Sequence, residues 1–242
     1  MNSLYRPFFA AVLALCVAAA AWAAQNLLAA HAAYSVSRAE YAALRAEYAP
    51  ESVLSESENP FEETSPEAGA APDPAELNPD YVGWIRIADT AVDYPAVRGS
   101  DNKKYLSAGF MGEKSKAGAV FMDYRCEDGF DGFHAVLYGH NMKDGSMFSE
   151  LNRYPDTDWR SAHSEITVTL RNGAEAVYRV FSARITDVFD AAYDLDFSDA
   201  DASAEYFSAL GAPEDARVLT LSTCTNGGNK DARLLVHAAR TE

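Results

Sequence analysis

The chain has 242 residues, which is long enough for one well-buried domain with appended segments. Its 20 Lys and Arg residues against 36 Asp and Glu residues give a formal charge of −16. This charge argues against nucleic acid as a partner, because phosphate binding requires a basic surface.

The N-terminal segment is apolar and predicts a membrane-spanning helix. Residues 8–24 carry no charge, and the uncharged run extends to residue 30. Arg6 lies just before this run, so we expect a cytoplasmic N-terminus and an exported remainder. The alternative is a cleaved signal peptide with the sequence AWA at 21–23 as its processing site. The retained anchor is preferred because the apolar run is long for the core of a signal peptide.

Two different segments follow the predicted anchor. Residues 34–48 have the spacing of one helical face, made by Tyr34, Tyr41, Leu44 and Tyr48, and we expect a solvated helical stalk. Residues 46–82 then hold six of the ten prolines and ten acidic residues, which predicts an extended tether that keeps the domain away from the membrane. The expected division is an anchor at 1–30, a stalk and acidic linker at 31–77, and a catalytic domain at 78–242.

The remaining sequence predicts a mainly β domain. Strand patterns occur at 82–87, 119–123, 135–138, 166–170, 176–186, 218–222 and 234–238. Short helices are expected at 146–153 and at 199–210, where Gly211 and Pro213 end the second one. Many short strands within about 165 residues indicate a β-barrel or a β-sandwich.

Cys224 is the candidate nucleophile. It directly follows the apolar strand predicted at 218–223 and precedes the polar loop TNGGN, so its thiol would be firmly mounted and accessible. The other two cysteines are Cys16, inside the apolar run, and Cys126. From the residues alone, a Cys126–Cys224 disulfide and a free reactive thiol both remain open.

Two further side chains complete a candidate site. His140 ends the strand pattern before it and can donate a proton to a leaving amine. Arg233 begins the last strand, nine residues after Cys224, and a hairpin would return its guanidinium beside the thiol, where it can hold an oxyanion. We interpret His237 as structural, because it lies within a predicted strand.

The order of these residues along the chain excludes several enzyme classes. His140 precedes Cys224 by 84 residues, whereas papain-like enzymes place the cysteine first. The L,D-transpeptidases would show His-Gly before the cysteine and an Arg just after it, but Thr223 and Thr225 flank Cys224. The sequence contains no Cys-x-x-Cys and no His-x-x-x-His spacing, so it does not predict a zinc site.

At these residues the chain resembles a class B sortase. The resemblance lies in LSTC at 221–224 with Arg233 after it, in LYGHNMKDGSMF at 137–148, in NPDYVGWI at 78–85 and in GAVFMDYR at 118–125. It covers about 78–239 and implies an eight-stranded sortase-type β-barrel with short peripheral helices, after an N-terminal transmembrane helix and an acidic Pro-rich linker. It implies neither a metal nor a cofactor.

The resemblance also implies a reaction and its residues. Cys224 would attack the carbonyl after Thr in an Asn-Pro-x-Thr-like C-terminal sorting signal, His140 would protonate the leaving amine, and Arg233 would hold the oxyanion. Ser222 and Asn102 match residues at the signal site of this class. Tyr193 and Leu195 are candidate pocket residues, because they lie on the connection between residues 189 and 218, which walls the signal groove in this family. The implied location is the cell membrane, with one span and the catalytic domain outside.

Three functions remain open from the sequence. The acceptor amine is either that of a peptidoglycan precursor, which would anchor surface proteins to the wall, or that of a pilin lysine, which would polymerise pili. The third function is a catalytically idle, membrane-tethered binding barrel. The presence of Cys224, His140 and Arg233 together favours the enzyme.

Overall fold

The protein is a closed eight-stranded β-barrel with short helices at its periphery. The computed structural model describes residues 5–50, 73–195, 200–227 and 229–241. The strands are β1 Tyr81–Arg86, β2 Asp93–Val97, β3 Val120–Met122, β4 His134–Tyr138, β5 Glu165–Leu170, β6 Glu175–Asp187, β7 Val218–Cys224 and β8 Ala232–Arg240. The helices are α1 Tyr5–Tyr48, α2 Pro74–Leu77, α3 Thr157–Ala162 and α4 Ala200–Ala209.

The strands close in the order β1-β2-β3-β4-β7-β8-β6-β5. The pairs β2–β3 and β4–β7 are parallel, and the other pairs are antiparallel. Closure leaves no unpaired sheet edge, which removes the main aggregation hazard of a β-sheet. The sequence left a barrel and a sandwich open, and the predicted sortase-type barrel is confirmed.

The barrel interior explains why these segments form strands. Apolar and β-branched side chains recur on them, and the largest fully buried ones include Trp84, Ile85, Met122 and Leu137. Strand β7 shows the pattern most clearly, because its first six residues are buried and its last residue is exposed. The strand therefore ends at the point where it leaves the core.

Local signals set the peripheral helices. Asp156 caps α3, because its carboxylate accepts hydrogen bonds from the backbone N–H groups of Asp158 and Trp159. After α4, Gly211 has a φ of 96°, a left-handed conformation that suits glycine at the end of a helix. The helix expected at 146–153 is instead a short 3-10 helix, Ser149–Arg153.

Helix α1 corrects the expectation of a solvated stalk. The predicted anchor and stalk form one continuous helix, and its C-terminal part packs against the barrel. Tyr41 and Leu44 are only 2% and 5% exposed, and the Tyr41 ring packs edge-on against Tyr94 with 5.2 Å between centroids. The aromatic face therefore covers the barrel, because burying it removes large apolar rings from water. Most of the predicted acidic tether, residues 51–72, lies outside the described residues.

The N-terminal part of α1 has the opposite character. Across its exposed surface lie large apolar side chains, among them Leu13, Leu15, Trp22, Leu27 and Leu28. An 18-residue window within Ala10–Tyr48 has a mean hydropathy of 1.8 and no buried residue. A continuous exposed apolar surface of this length is typical of a segment that enters a membrane.

Two buried histidines share one hydroxyl inside the barrel. His134 Nε2 and His237 Nδ1 lie 2.8 and 2.9 Å from Thr220 Oγ1. The hydroxyl has one proton, so it donates to one ring and accepts from the other. Burial lowers the pKa of His134 to about 3 and that of His237 to about 4, which keeps both rings neutral. The structural interpretation of His237 agrees with this burial.

These histidines predict acid destabilisation. An unfolded histidine binds its proton below about pH 6.5, whereas these two stay neutral when folded. Their contribution to the free energy of unfolding is therefore complete above pH 6.5 and is lost as the pH falls toward 4, with a slope of about 1.4 kcal/mol per pH unit for each ring. Urea unfolding between pH 7.5 and 5 should show that His134→Gln lowers the pH dependence of the free energy of unfolding by about 1.4 kcal/mol per pH unit. The exposed His31 gives the control His31→Gln, and equal slopes in the two variants would contradict the assignment.

The packing of α1 predicts a second stability effect. Leu44→Ala should lower the free energy of unfolding by about 2–4 kcal/mol, because it leaves a cavity between the helix and the barrel. Val36→Ala, at a side chain that is 66% exposed on the same helix, should change it by less than about 0.5 kcal/mol. Urea unfolding of the full chain in detergent, followed by tryptophan fluorescence, measures both. If this part of α1 were a solvated stalk, Leu44→Ala and Val36→Ala would change the free energy of unfolding by similar small amounts.

Candidate active site

Cys224 is the last residue of β7, rather than the first residue after it as the sequence indicated. Six buried residues precede it in the strand, and Cys224 itself is exposed. Its backbone is fixed on both sides, by the ladder with β8 and by Asn141 Nδ2, which donates to the Cys224 carbonyl at 2.9 Å. The thiol is thus accessible on a rigid support, as a nucleophile requires.

Arg233 lies directly across the ladder from Cys224. The two residues are the last paired positions of the antiparallel β7–β8 hairpin, which confirms that the hairpin returns this arginine beside the thiol. The guanidinium Nη1 donates to the carbonyls of Lys230 and Ala232 at 2.8 and 2.9 Å. These bonds fix one corner of the planar group and thereby set its orientation.

His140 reaches the same end of the barrel through β4. Strands β4 and β7 are parallel, with Tyr138 opposite Ser222, so His140 and Cys224 each follow that pair by two residues. His140 Nε2 lies 2.8 Å from the carbonyl oxygen of Leu106. A carbonyl only accepts, so Nε2 carries the proton, and Nδ1 is the nitrogen that gains or loses one.

Asn141 joins the histidine segment to the cysteine segment. Besides its bond to the Cys224 carbonyl, its amide Nδ2 donates to Asn226 Oδ1 at 2.8 Å. Sequence reasoning assigned no role to this residue. Its position next to His140 was the only available signal, because the partner segment is 83 residues away along the chain.

The three candidate catalytic residues line one cleft of about 370 Å³. Ser222, Asn102 and Tyr193 line it too, as the sequence predicted, and Leu106, Phe121, Tyr138, Gly139, Val188 and Thr223 complete the wall. The structure thus brings six of the seven predicted site residues together. The cleft is predominantly apolar, with polar groups at a few positions, which is typical of a ligand-binding site.

Leu195 is the exception among the predicted lining residues. It is 5% exposed and packs in the hydrophobic core, and it is not part of the cleft wall. Burying this leucine in the core stabilises the fold more than exposing it in a groove would. The segment that carries both residues therefore presents Tyr193 to the cleft and Leu195 to the core.

Tyr193 and Ser222 form one unit. Their hydroxyls lie 2.7 Å apart, and the Tyr193 ring stacks on Tyr138 with 6.2 Å between centroids. Burial raises the pKa of Tyr193, so its hydroxyl stays protonated. Ser222 is itself buried, and its hydroxyl bonds to that of Tyr193 in the cleft lining.

Asp123 holds several residues of the cleft lining in place, although sequence reasoning assigned it no role. This fully buried carboxylate accepts hydrogen bonds from Tyr138 Oη and Asn102 Nδ2 at 2.8 Å and from Arg125 Nε and Nη2 at 2.9 Å. Burial alone would raise the pKa of Asp123, but the bonds from Arg125, Tyr138 and Asn102 outweigh it and lower the pKa. Arg125 also donates to the Tyr193 carbonyl at 3.1 Å. A charged, fully bonded aspartate thus connects Asn102, Tyr138 and, through Arg125, Tyr193, all of which line the cleft.

Cys126 is free and buried, so the disulfide that the sequence left open is not formed. Its sulfur lies 3.8 Å from the His134 carbonyl, inside the barrel. Burial raises the pKa of this thiol to about 11, which leaves almost no thiolate near neutral pH. Among the residues described, no three His, Cys, Asp or Glu side chains converge to hold a metal ion.

Comparisons with known proteins agree with this geometry. A family model described as the sortase domain matches residues 85–241. Sortase B of Listeria monocytogenes is 37% identical over 158 residues, which cover 61% of this chain and 64% of that protein, slightly under two thirds of its length.

Solved structures give the same result. The crystal structure of sortase B from Bacillus anthracis in complex with AAEK1 has a TM-score of 0.70 at 28% identity and covers 87% of this chain and 98% of that one. The Staphylococcus aureus sortase B–substrate complex has a TM-score of 0.63 at 27% identity and covers 70% of this chain and 83% of that one. The chain belongs to the sortase family, and these relatives are sortases of class B.

Proposed function

We propose that this protein cleaves a C-terminal sorting signal of the Asn-Pro-x-Thr type after the Thr and transfers the cleaved protein to an amine of the cell-wall precursor. The observation that carries the proposal is the meeting of an exposed thiol, an imidazole and a guanidinium in one cleft, at Cys224, His140 and Arg233. A substrate-bound sortase B among the structural relatives supports a peptide as the occupant of this cleft.

In the first half of the reaction, the Cys224 thiol gives its proton to His140 Nδ1, and the resulting thiolate attacks the carbonyl carbon of the Thr. A carbon–sulfur bond forms, and the carbonyl oxygen becomes an oxyanion, which the Arg233 guanidinium stabilises. His140 then gives a proton from Nδ1 to the leaving nitrogen, because Nε2 stays bonded to Leu106. The carbon–nitrogen bond breaks and leaves a thioester.

In the second half, the amine of the wall precursor attacks the thioester. His140 Nδ1 accepts the proton that this nitrogen must lose, and the carbon–sulfur bond breaks to return the Cys224 thiolate. The same imidazole thus acts as base, then as acid, and then again as base. Asn102 and the Tyr193–Ser222 pair would hold the signal, because they line the same cleft as the three catalytic residues.

We further propose a membrane-bound protein with its catalytic domain outside the cell. The exposed apolar surface of α1 supports residues 1–30 as the anchor, and Arg6 supports a cytoplasmic N-terminus. Residues 31–77 would connect it to a catalytic domain at 78–242. Within that connection, the packing of Tyr41 and Leu44 adds the end of α1 to the folded unit.

Cys224 predicts the location of the acyl-enzyme. With an Asn-Pro-x-Thr peptide as substrate, Cys224→Ala should abolish cleavage and transfer, while Cys126→Ala should retain both, because its thiol is buried. In a Cys16→Ala background, mass spectrometry should find the thioester, and an alkylating label, on Cys224 of the folded protein. An adduct on Cys126, or turnover by Cys224→Ala, would contradict the mechanism.

Arg233 predicts a dependence on geometry as well as charge. Arg233→Lys should lower kcat/KM by about 10²-fold, or roughly 3 kcal/mol, because lysine keeps the charge but cannot present a planar pair of donors to the oxyanion. Arg179→Lys is the matched control, since Arg179 forms only an exposed pair with Glu165. Steady-state cleavage rates measure both. If the activity of Arg233→Lys stays within a few-fold of that of Arg179→Lys, Arg233 has no part in the mechanism.

A further inference from the structure

The His140 ring rests on one loop, residues 105–119. Besides the bond from Nε2 to the Leu106 carbonyl, the ring edge lies against the backbone of Gly118, where an added Cβ would come within 3.2 Å of His140 Cδ2. Gly118 has a φ of 61°, and the same Cβ would lie 2.4 Å from the Tyr105 carbonyl. Only glycine therefore allows the two ends of the loop and the ring to approach so closely.

The loop is closed on itself. Ala119 donates from its backbone N–H to the Tyr105 carbonyl at 3.0 Å, and Ser115 donates to the Ser107 carbonyl at 2.9 Å. These bonds tie the limb that carries Leu106 to the limb that carries Gly118. A shift of the second limb would therefore also move the carbonyl that holds His140.

Helix α1 fixes the second limb of this loop. The Tyr41 hydroxyl donates to the Gly118 carbonyl at 2.7 Å, and the Ser37 and Ser115 hydroxyls lie 3.0 Å apart. Tyr41 is 2% exposed, and both serines are 7% exposed, so these bonds are shielded from water. Shielded hydrogen bonds are costly to leave unmade, which makes them effective constraints on the loop.

The helix also contacts the segment on the other side of His140. The carboxylate of Asp144 lies 3.6 Å from Arg38 of α1, and the Phe148 N–H closes this segment by donating to the His140 carbonyl at 2.9 Å. Both supports of the histidine, the 105–119 loop before it and the 140–148 turn after it, therefore touch one face of α1.

We propose that Tyr41 is a positioning residue for His140. Its hydroxyl holds Gly118 and thereby the 105–119 loop, which keeps the Leu106 carbonyl on Nε2–H and leaves Nδ1 for proton transfer to the leaving amine. The proposal rests on the proposed function of His140, and it makes the docking of the anchor helix a condition for efficient proton transfer.

The test is Tyr41→Phe in the full chain, reconstituted in detergent. Phenylalanine keeps the ring that packs on Tyr94 and removes the hydroxyl, which donates to the Gly118 carbonyl and also bonds to the backbone of Phe110 in the same loop. Three quantities are measured with an Asn-Pro-x-Thr peptide: kcat, KM and the rate of Cys224 alkylation. The nitrogen NMR shifts of the His140 ring, assigned by comparison with His140→Ala, report its tautomer. Tyr34→Phe, on the same helix, is the matched control.

We expect kcat to fall about tenfold, since small displacements of a catalytic group have large effects on rate. We expect KM and the alkylation rate to stay within about twofold, because Tyr41 itself neither lines the cleft nor contacts the thiol. The His140 nitrogen shifts should move toward a mixture of tautomers, and Tyr34→Phe should match the wild type.

Two results would overturn the proposal. One is a wild-type kcat for Tyr41→Phe, and the other is a lower kcat with unchanged His140 shifts, which would indicate a merely structural role. Either result leaves the proposed function standing as long as Cys224→Ala is inactive. If Cys224→Ala turns over normally, the proposed function fails, while the His140 shifts in Tyr41→Phe still decide whether Tyr41 positions the ring.

Discussion

The parallel pairing of β4 with β7 is the constraint on which the site depends. It places Tyr138 opposite Ser222, although the two residues are 84 positions apart in the chain. His140 and Cys224 each follow two residues later, so both lie at the same end of the barrel. The antiparallel β7–β8 hairpin then adds Arg233 at the position opposite Cys224. Side chains alternate between faces along a strand, so a slip of one residue in either pairing would turn one group away from the others. The buried β7 side chains resist that slip, because it would expose them to water.

A second constraint is electrostatic. Asp123 is a buried charge, which would be costly in isolation, but four donors from Asn102, Tyr138 and Arg125 satisfy it. Asn102 and Tyr138 line the cleft, and Arg125 donates to the backbone of Tyr193, which lines it too. One anion therefore connects three residues of the cleft lining. The mutual dependence of such a network makes its geometry more rigid than separate hydrogen bonds would.

The structural features that depend on local sequence pattern could be predicted from the sequence. Strand periodicity found seven of the strands, and the flanking turns placed Cys224, His140 and Arg233 at strand ends. Strand β2 was missed because Pro95 interrupts it, and proline within a run argues against a strand. Asp123, Asn141 and the inward turn of Leu195 could not be predicted, since each depends on partners distant along the chain. The aromatic face of α1 was recognised, but a helical period does not show which surface the face will cover.

The docking of α1 changes the role that the acidic linker can have. A tether sets the distance between an anchor and a domain only if nothing before the tether touches the domain. Here Ser37, Tyr41 and Leu44 all contact the barrel side before residue 51 is reached. Between residue 30, where the uncharged run ends, and Ser37, a helix rises only about 10 Å. The helix therefore holds the barrel close to the end of the apolar segment. With that segment as the proposed anchor, a rigid element sets the distance between membrane and catalytic cleft, which the composition of the linker could not reveal.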